Sequence, residues 1–555
     1  MKSKLSNNYP QKWAQIIVLV GLCFTLYFVN LNQWDLWNPD EPRYAQVARE
    51  MAEGGDWILM HYNGSVYNDK PPLFFWLIAL SSYLWQGFSS FAVRFPAALF
   101  GTLTVIITFF LGRLLYGRRT GFLSALVLAT SFEFVYLSTR GNIDTTLTFF
   151  TTGSLFCFFE WYRGIRDEGK GKGEVKEKKK DWSIYGFYAG MALATLAKGP
   201  VGFILPLLTG LTCLAVQRDW KALREMKLLS GLLLFLVVVL SWYLPAVLKG
   251  GREYLEATLL HHSAARFAKG TSHIRPFYYF FYNFPIHFLP WTLFLPGAIV
   301  YGFSQETLKK RKEFLHLLAW SVVIFLFFSV SRGKRTLYLL PLFPAVSLMV
   351  GKLWDDYITS PMEHFNLGWI SFPLYGLMGL TLAAGGAILW TGATRFSSYY
   401  LAYVFPMAFL LVGFSLSLFA LSRSRHHGAL LLVLVGMMVA GFFYTFRVGF
   451  PLINPFKSAR FISGEILSRI EPGEKLAVYG DFETGPYNYY TGIVPILELE
   501  GDEALSRFLK SPERVYCLIR PSDLAEIRTK EGLPIVEKSI KYSVGHRDMI
   551  LISNR

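Results

Sequence analysis

Five charged residues stand in one short polar stretch between apolar runs: Asp40, Glu41 and Arg43, then Asp69 and Lys70. The stretch is DLWNPDEPRYAQVAREMAEGGDWILMHYNGSVYNDKPP, residues 35–72, and it follows the first apolar run. A carboxylate held at a membrane face can take a proton from an incoming hydroxyl, the ordinary work of a general base. A lysine or arginine beside it can hold a phosphate. Blander readings exist. Asp40 or Glu41, which follow Asn38-Pro39, can cap a helix, and Lys70 can snorkel at the interface. Arg43 and Tyr44 share the segment with the acidic pair and favour chemistry, so the stretch is read as half of an active site.

Other candidates lie further along. Asp144 sits one turn after Arg140 at the mouth of an apolar run, as a helix-start charge, an Arg140 partner or a functional acid. Lys198, Arg266, Lys334 and Arg335 join Lys70 as cations at the ends of apolar runs. His261, His262 and His273 lie in HHSAARFAKGTSHIRPFYY. Two adjacent histidines are not a standard metal spacing, but with Asp69 they offer His and carboxylate ligands to a divalent ion. The aromatics of 276–282 read as an interfacial belt.

The elements that must position these residues are mostly apolar. The 555-residue chain is 53% hydrophobic and 17% charged, against roughly 25% charge in ordinary soluble chains. Runs near 13–31, 95–115, 119–137, 142–162, 183–197, 199–217, 227–248, 286–303, 314–330, 335–354, 369–391, 399–421 and 428–448 are candidate spans. The run 72–87 is too short, reaching about 24 Å as a helix where the hydrocarbon core needs about 30 Å. Treating it as a juxtamembrane helix puts Arg113, Arg118 and Arg119, the run from Arg163 to Lys180, the loop 218–227, the loop 309–312, and Arg423 with Arg425 on one side, as the positive-inside rule asks. The expectation is a polytopic α-helical membrane protein with about thirteen spans and a cytoplasmic N-terminus. Residues 32–94 would then form the first external loop, with 140–144, 198–200, 249–285 and 331–336 on the same outer side. The run 163–182 reads as a flexible cytoplasmic loop.

The net charge of +16 is dispersed over these loops, which excludes a nucleic-acid face. Cys23, Cys157, Cys213 and Cys517 suggest neither a disulfide framework nor a zinc motif. The composition changes near residue 449. The segments 475–480, 493–499, 514–520 and 548–553 read as short strands alternating with helices, so 1–448 is taken as the membrane domain and 449–555 as a small soluble α/β domain. No Gly-rich phosphate loop is present in it.

The ordered set Asp40-Glu-Pro-Arg-Tyr44, Gly55-Asp-Trp57 and Tyr67-Asn-Asp-Lys-Pro71 resembles the first external loop of the bacterial aminoarabinose transferases, relatives of the protein O-mannosyltransferases. Arg94-Phe-Pro96, Arg140 to Asp144, Lys198-Gly-Pro200, Arg266-Phe267 with Pro276-Phe277, and Ser331-Arg-Gly-Lys334 leading to Tyr338-Leu-Leu-Pro341 follow in order. The resemblance covers residues ~10–350 well and the remainder only by layout. It implies a GT-C fold with periplasmic juxtamembrane helices, a periplasmic C-terminal domain and a bacterial inner-membrane setting. It also implies an inverting glycosyltransferase that moves aminoarabinose or a related sugar from a polyprenyl-phosphate donor to lipid A or its core oligosaccharide. In this reading Asp40 is the general base. Lys70, Arg266 and Tyr338 hold the donor phosphate, with Lys334 among the cations beside them. Glu41, Arg43, Tyr44, Asp144 and Lys198 line the cavity. Asp69 stands where that family usually has Glu, and the His–Arg-Phe spacing departs from its pattern; Asp69, His261 and His262 are the corresponding metal ligands. A protein hydroxyl as acceptor is one alternative, and a non-catalytic flippase of lipid-linked sugars another. The charges gather on one face and no inverted repeat is visible, which favours an enzyme.

Overall fold

The computed structural model describes residues 8–167, 175–258, 273–303, 311–359, 367–395, 398–423, 426–528 and 533–555. His261, His262 and Arg266 lie outside the described residues. The chain divides into two compact units. One comprises Met1–Asn30, Asp69–Phe74 and Ala97–Thr445; the other comprises Leu31–Asn68, Phe75–Pro96 and Phe446–Arg555.

The first unit is helical. Among the described residues of the whole chain, seven helices are long and apolar enough to cross a membrane, or up to nine if each of two bent pairs is one span. Helix Ile143–Asp167, read as a span from the sequence, is not in that set. Its polarity is internal: Thr145, Thr146, Thr148, Thr151, Thr152 and Ser154 are all buried. Small hydroxyl residues let helices approach closely where apolar bulk cannot drive association. Thus Ser154 donates to the Phe187 carbonyl at 2.7 Å, and a Cβ on Gly190 would come within 2.8 Å of the Ser154 Cβ. Helices Ile143–Asp167 and Val175–Lys198 also extend into 163–182, so only its middle, outside the described residues, is left of the expected loop.

The expected span 119–137 is broken by a bend, and the expected span 286–303 has a second bend near its start. Helix Arg118–Ala129 turns by 69° into Phe132–Ser138, and Tyr279–His287 turns by 112° into Trp291–Phe303. A break frees backbone groups that lipid cannot satisfy, so another element must. Here the breaks serve each other. The Phe132 N–H donates to the Leu289 carbonyl at 3.0 Å, and the Trp291 indole N–H donates to Thr130 Oγ1 at 3.1 Å. Glu133 lies 2.5 Å from His287 Nδ1, and Thr336 donates to the other Glu133 oxygen at 3.3 Å.

The second unit joins the first polar stretch to the C-terminal segment. Strands Leu497–Leu499, Lys475–Tyr479 and Val515–Ile519 are parallel neighbours in that order; Arg547–Ser553 adds antiparallel to Val515–Ile519 and carries Val536–Glu537 and Tyr542–Val544. Alternation with period two fills both faces. Leu476, Val478, Tyr516 and Leu518 pack on Ile462 and Ile466, while Ala477, Val515, Cys517 and Ile519 pack on Leu505, Leu509, Leu524 and Ile527. Each of the four strand expectations has its counterpart in this sheet.

Helix Asp40–Gly54, closed by Gly55 at φ 72°, lies flush against helix Gly485–Thr491. A Cβ on Gly485 would meet the Tyr62 hydroxyl at 2.9 Å and the Arg43 Cα at 3.1 Å, so no larger residue fits without displacement. Polar side chains complete the seam. Asn63 exchanges hydrogen bonds with the Ile496 backbone at 2.9 and 2.7 Å, and Arg49 donates to the Tyr489 carbonyl at 2.9 Å. Asn454 accepts from the Trp37 indole at 2.8 Å and donates to Asp35 at 2.9 Å.

Candidate active site

Two carboxylate–cation centres, one in each unit, contain most of the residues singled out in the sequence. In the second unit Asp40 opens helix Asp40–Gly54, and Arg43, one turn on, donates to Asp40 Oδ1 at 2.7 Å. The other terminal nitrogen of Arg43 donates to Glu483 Oε1, also at 2.7 Å. The guanidinium therefore bridges two acids that stand 443 positions apart in the chain, its planar fork suited to both. Burial works against its charge, but Tyr67, Tyr44, Glu483 and Asp40 outweigh burial and hold Arg43 protonated well above the usual arginine range. Tyr44 packs on Phe75 with ring centroids 5.7 Å apart. Tyr62 accepts a hydrogen bond from the Gly485 N–H at 2.7 Å, and burial pushes its phenol up to about 12, so it stays neutral.

Glu41, the adjacent acid, has a different environment. Its oxygens accept from Arg94 at 2.7 and 3.1 Å and from the Trp37 N–H at 3.1 Å. Arg94 is fully buried, donates to the carbonyls of Leu31, Trp34 and Asp35, and lies 4.4 Å over the Trp34 ring. Glu41 and Arg94 thus tie the loop 31–37 to the helix bearing Asp40. Their geometry is that of a support, with Glu41 only 1% exposed where the sequence reading put it in the cavity lining.

In the first unit Asp144 begins helix Ile143–Asp167, its N–H held by Asn142 Oδ1 at 2.7 Å. Lys198, the last residue of helix Val175–Lys198, forms an ion pair with Asp144, and its ammonium lies 4.5 Å from the Tyr338 ring centroid. Arg140, the other partner considered for Asp144, stacks on Tyr136. Gly199, at φ 82°, lets the chain turn beside Pro71, which lies 4.0 Å from where a Cβ would stand. That contact brings the 69–72 loop to Lys198. Lys70 in it pairs with Asp69 at 3.0 Å. Tyr338 is carried by the 3-10 helix Thr336–Leu342, whose first residue is held by Glu133.

Lys334 departs from its expected place. Its ammonium donates to the Arg275 carbonyl at 3.1 Å and to the Ser331 carbonyl, and burial lowers its pKa. It clips the 331–336 loop to 273–275. Among the described residues no three His, Cys, Asp or Glu side chains gather as metal ligands. Of the residues proposed for a metal, Asp69 is on Lys70, and His261 and His262 lie outside the described residues, as does Arg266 of the phosphate set.

Sequence reasoning gave no role to Arg94, Glu483, Tyr62 or the Glu133–His287 pair. Arg94 and Glu133 each carry a signal, a charge inside an apolar run. Glu483 has none, because only folding brings it to Arg43.

The family model for dolichyl-phosphate-mannose-protein mannosyltransferase matches residues 14–260. An undecaprenyl phosphate-alpha-4-amino-4-deoxy-L-arabinose arabinosyl transferase of Pectobacterium atrosepticum is 31% identical over 376 residues, 66% of this chain and 64% of that protein. Its counterpart in Pectobacterium carotovorum is 31% identical over 382 residues, 68% of this chain and 65% of that protein. The aligned region thus spans just under two thirds of the length of these relatives. The crystal structure of ArnT from Cupriavidus metallidurans bound to undecaprenyl phosphate superposes with a TM-score of 0.80 over 98% of both chains, at 21% identity. The resemblance read from the motifs therefore stands, and the chain is a multi-pass helical membrane protein with a GT-C fold and a small C-terminal sheet.

Proposed function

We propose that this chain is an inverting glycosyltransferase that takes a sugar, aminoarabinose or a relative of it, from an undecaprenyl-phosphate carrier and places it on lipid A or its core oligosaccharide. The observation that carries the proposal is Asp40, paired with Arg43 at the start of a helix inside the stretch 35–72, whose motifs resemble those of the aminoarabinose transferases. A carboxylate accepts on both oxygens, so Arg43 on Oδ1 is compatible with a proton arriving at Oδ2. In the reaction Asp40 takes the proton of the acceptor hydroxyl as its oxygen bonds the anomeric carbon. The bond from that carbon to the phosphate oxygen breaks on the opposite face, and the electron pair leaves with the polyprenyl phosphate. Lys70, Arg266 and Tyr338 stabilise the departing phosphate, where charge develops in the transition state. Lys198, on Asp144 and Tyr338, orients that group, and Tyr44 lines the sugar side.

The same reading places thirteen spans in a bacterial inner membrane, with the N-terminus cytoplasmic and residues 449–555 forming a periplasmic domain. The match to the protein mannosyltransferase family favours one second acceptor class, a protein hydroxyl. Asp69 with His261 or His262 would hold a divalent ion if one takes part.

The test is a detergent assay of the purified protein with undecaprenyl-phosphate sugars and either lipid A or a hydroxyl-rich peptide, read by mass spectrometry. A sugar-mass adduct on lipid A is expected. An adduct on peptide alone moves the acceptor. Donor translocation across vesicles without any adduct would make the chain a transporter and end the proposal.

A further inference from the structure

Glu133 is a buried acid that neither centre uses. It is 4% exposed and lies inside the apolar run 119–137, where an ionisable side chain is costly and calls for a reason. The bends beside it do not supply one. They are already joined by the Phe132 N–H on the Leu289 carbonyl and by the Trp291 indole on Thr130, and neither contact needs a charge. What the carboxylate adds is a third element. Its Oε2 lies 2.5 Å from His287 Nδ1, at the end of helix Tyr279–His287, and its Oε1 accepts from Thr336 Oγ1 at 3.3 Å.

Thr336 is the first residue of the 3-10 helix Thr336–Leu342, and Arg335 before it makes no side-chain cap. Glu133 therefore fixes a helix start that has no local cap of its own. The far end is pinned as well: the fully buried Trp320 donates from its indole to the Pro341 carbonyl at 3.0 Å. At about three residues per turn, Thr336 and Tyr338 point to different sides of this helix. One side meets Glu133. On the other, the Tyr338 ring centroid lies 4.5 Å from the Lys198 ammonium and 5.4 Å from the Phe328 ring. Turning the helix at Thr336 swings the Tyr338 hydroxyl, and misplacing a group at the reacting centre by about 1 Å can cost about 10²-fold in rate.

We propose that Glu133 and His287 are positioning residues for the donor phosphate, and that they set Tyr338 through Thr336. The inference rests on the transferase reading above, in which Tyr338 meets that phosphate. His287 orients the Glu133 carboxylate, and the carboxylate fixes the helix start through the Thr336 hydroxyl. Of these four side chains only Tyr338 touches the donor.

The test uses the full chain in detergent. Undecaprenyl phosphate binding is titrated calorimetrically, and initial rates with undecaprenyl-phosphate sugar and lipid A are measured separately. Thr336→Val keeps the shape of threonine and removes the hydroxyl. It should weaken undecaprenyl phosphate binding about fivefold and lower kcat/KM for the donor about tenfold, with the KM for lipid A unchanged. Thr336→Ser should recover most of that loss. In a Tyr338→Phe background Thr336→Val should add less than about twofold, because both changes act through one hydroxyl. Glu133→Leu and His287→Leu should show the same profile, and Thr336→Val decides the matter if either fails to fold. Unchanged donor binding in Thr336→Val, full additivity with Tyr338→Phe, or an equal rise in both KM values overturns the positioning and leaves the transferase standing. Thr336-dependent binding of undecaprenyl phosphate without transfer to any acceptor keeps the positioning and ends the transferase reading instead. Absence of binding by the wild type overturns both.

Discussion

Asp40 and Asp144 both open helices and both face a cation, but the cations differ in kind. Asp40 is held by an arginine that also donates to Glu483. Asp144 is held by a lysine resting over Tyr338. A guanidinium keeps its proton and its fork, so the first centre presents one carboxylate in one orientation. An ammonium is a point charge on a flexible stem that can shift from a carboxylate to an arriving phosphate. On the proposed reading the first centre would hold a base in one orientation, while the ammonium of the second can shift on its stem.

The sharpest way to break that contrast is Asp40→Asn. Amide and carboxylate are nearly the same size, and an amide oxygen still accepts from Arg43, but it does not take a proton. Turnover should fall about 10³-fold or more, near the upper part of the range for general-base loss. Donor affinity, measured by thermal shift with undecaprenyl phosphate, should stay within about twofold of wild type. Retained turnover would move the base elsewhere, with Asp144 next in line.

Arg94→Met tests the support beneath Asp40. It leaves Glu41 buried without its bidentate partner, and breaking a buried pair costs about 3–5 kcal/mol. The expected outcome is a large fall in thermal stability in detergent. Glu41→Gln/Arg94→Met should be less destabilised than Arg94→Met alone, because no unpaired charge remains buried. If the two variants melt together, Glu41 is not held by Arg94 in the way its distances indicate.

These two neighbours also show what a sequence can and cannot carry. Asp40 and Glu41 are equivalent on paper: same loop, same helix start, same distance from Arg43 to within one residue. Their different surroundings are set by Arg94 and Glu483, 53 and 443 positions away. Local signals do survive into the fold. The apolar alternation of 475–480 and 514–520 became neighbouring strands, and Pro71-Pro72 does precede a short helix, Leu73–Leu84. Hydropathy was blind where polarity faces inward, as in the buried threonines after Asp144. It was also blind to the two bends, since a broken span has the composition of an unbroken one. Lys334 shows a related blindness: nothing in the sequence signals that its ammonium meets two backbone carbonyls.

Lys198→Gln sharpens the second half of the contrast. It removes the ammonium and keeps a hydrogen-bond donor beside Asp144. Loss of one preorganised donor to a developing charge costs about 10²-fold in kcat. Asp144→Asn should be milder, and the double variant should fall no further than Lys198→Gln, since contacting residues are not additive. Full additivity across that cycle would mean that the two side chains act separately.

The smallest expected effect tests whether the C-terminal segment reaches the base. Glu483 is 41% exposed, and its hold on Arg43 is correspondingly screened. Glu483→Gln keeps the shape and removes the charge, so kcat should fall about fivefold, in line with roughly 1 kcal/mol for a partly exposed pair. The gap between wild type and Glu483→Gln should narrow at high salt, because screening weakens the same attraction in the wild type. Arg43→Lys should cost more than Glu483→Gln, since one ammonium does not reproduce a fork that engages two acids. In the Arg43→Lys background Glu483→Gln should then have little further effect. If Glu483→Gln is as damaging there as in wild type, Glu483 acts on something other than Arg43, and the segment 446–555 touches the chemistry by a route apart from Asp40.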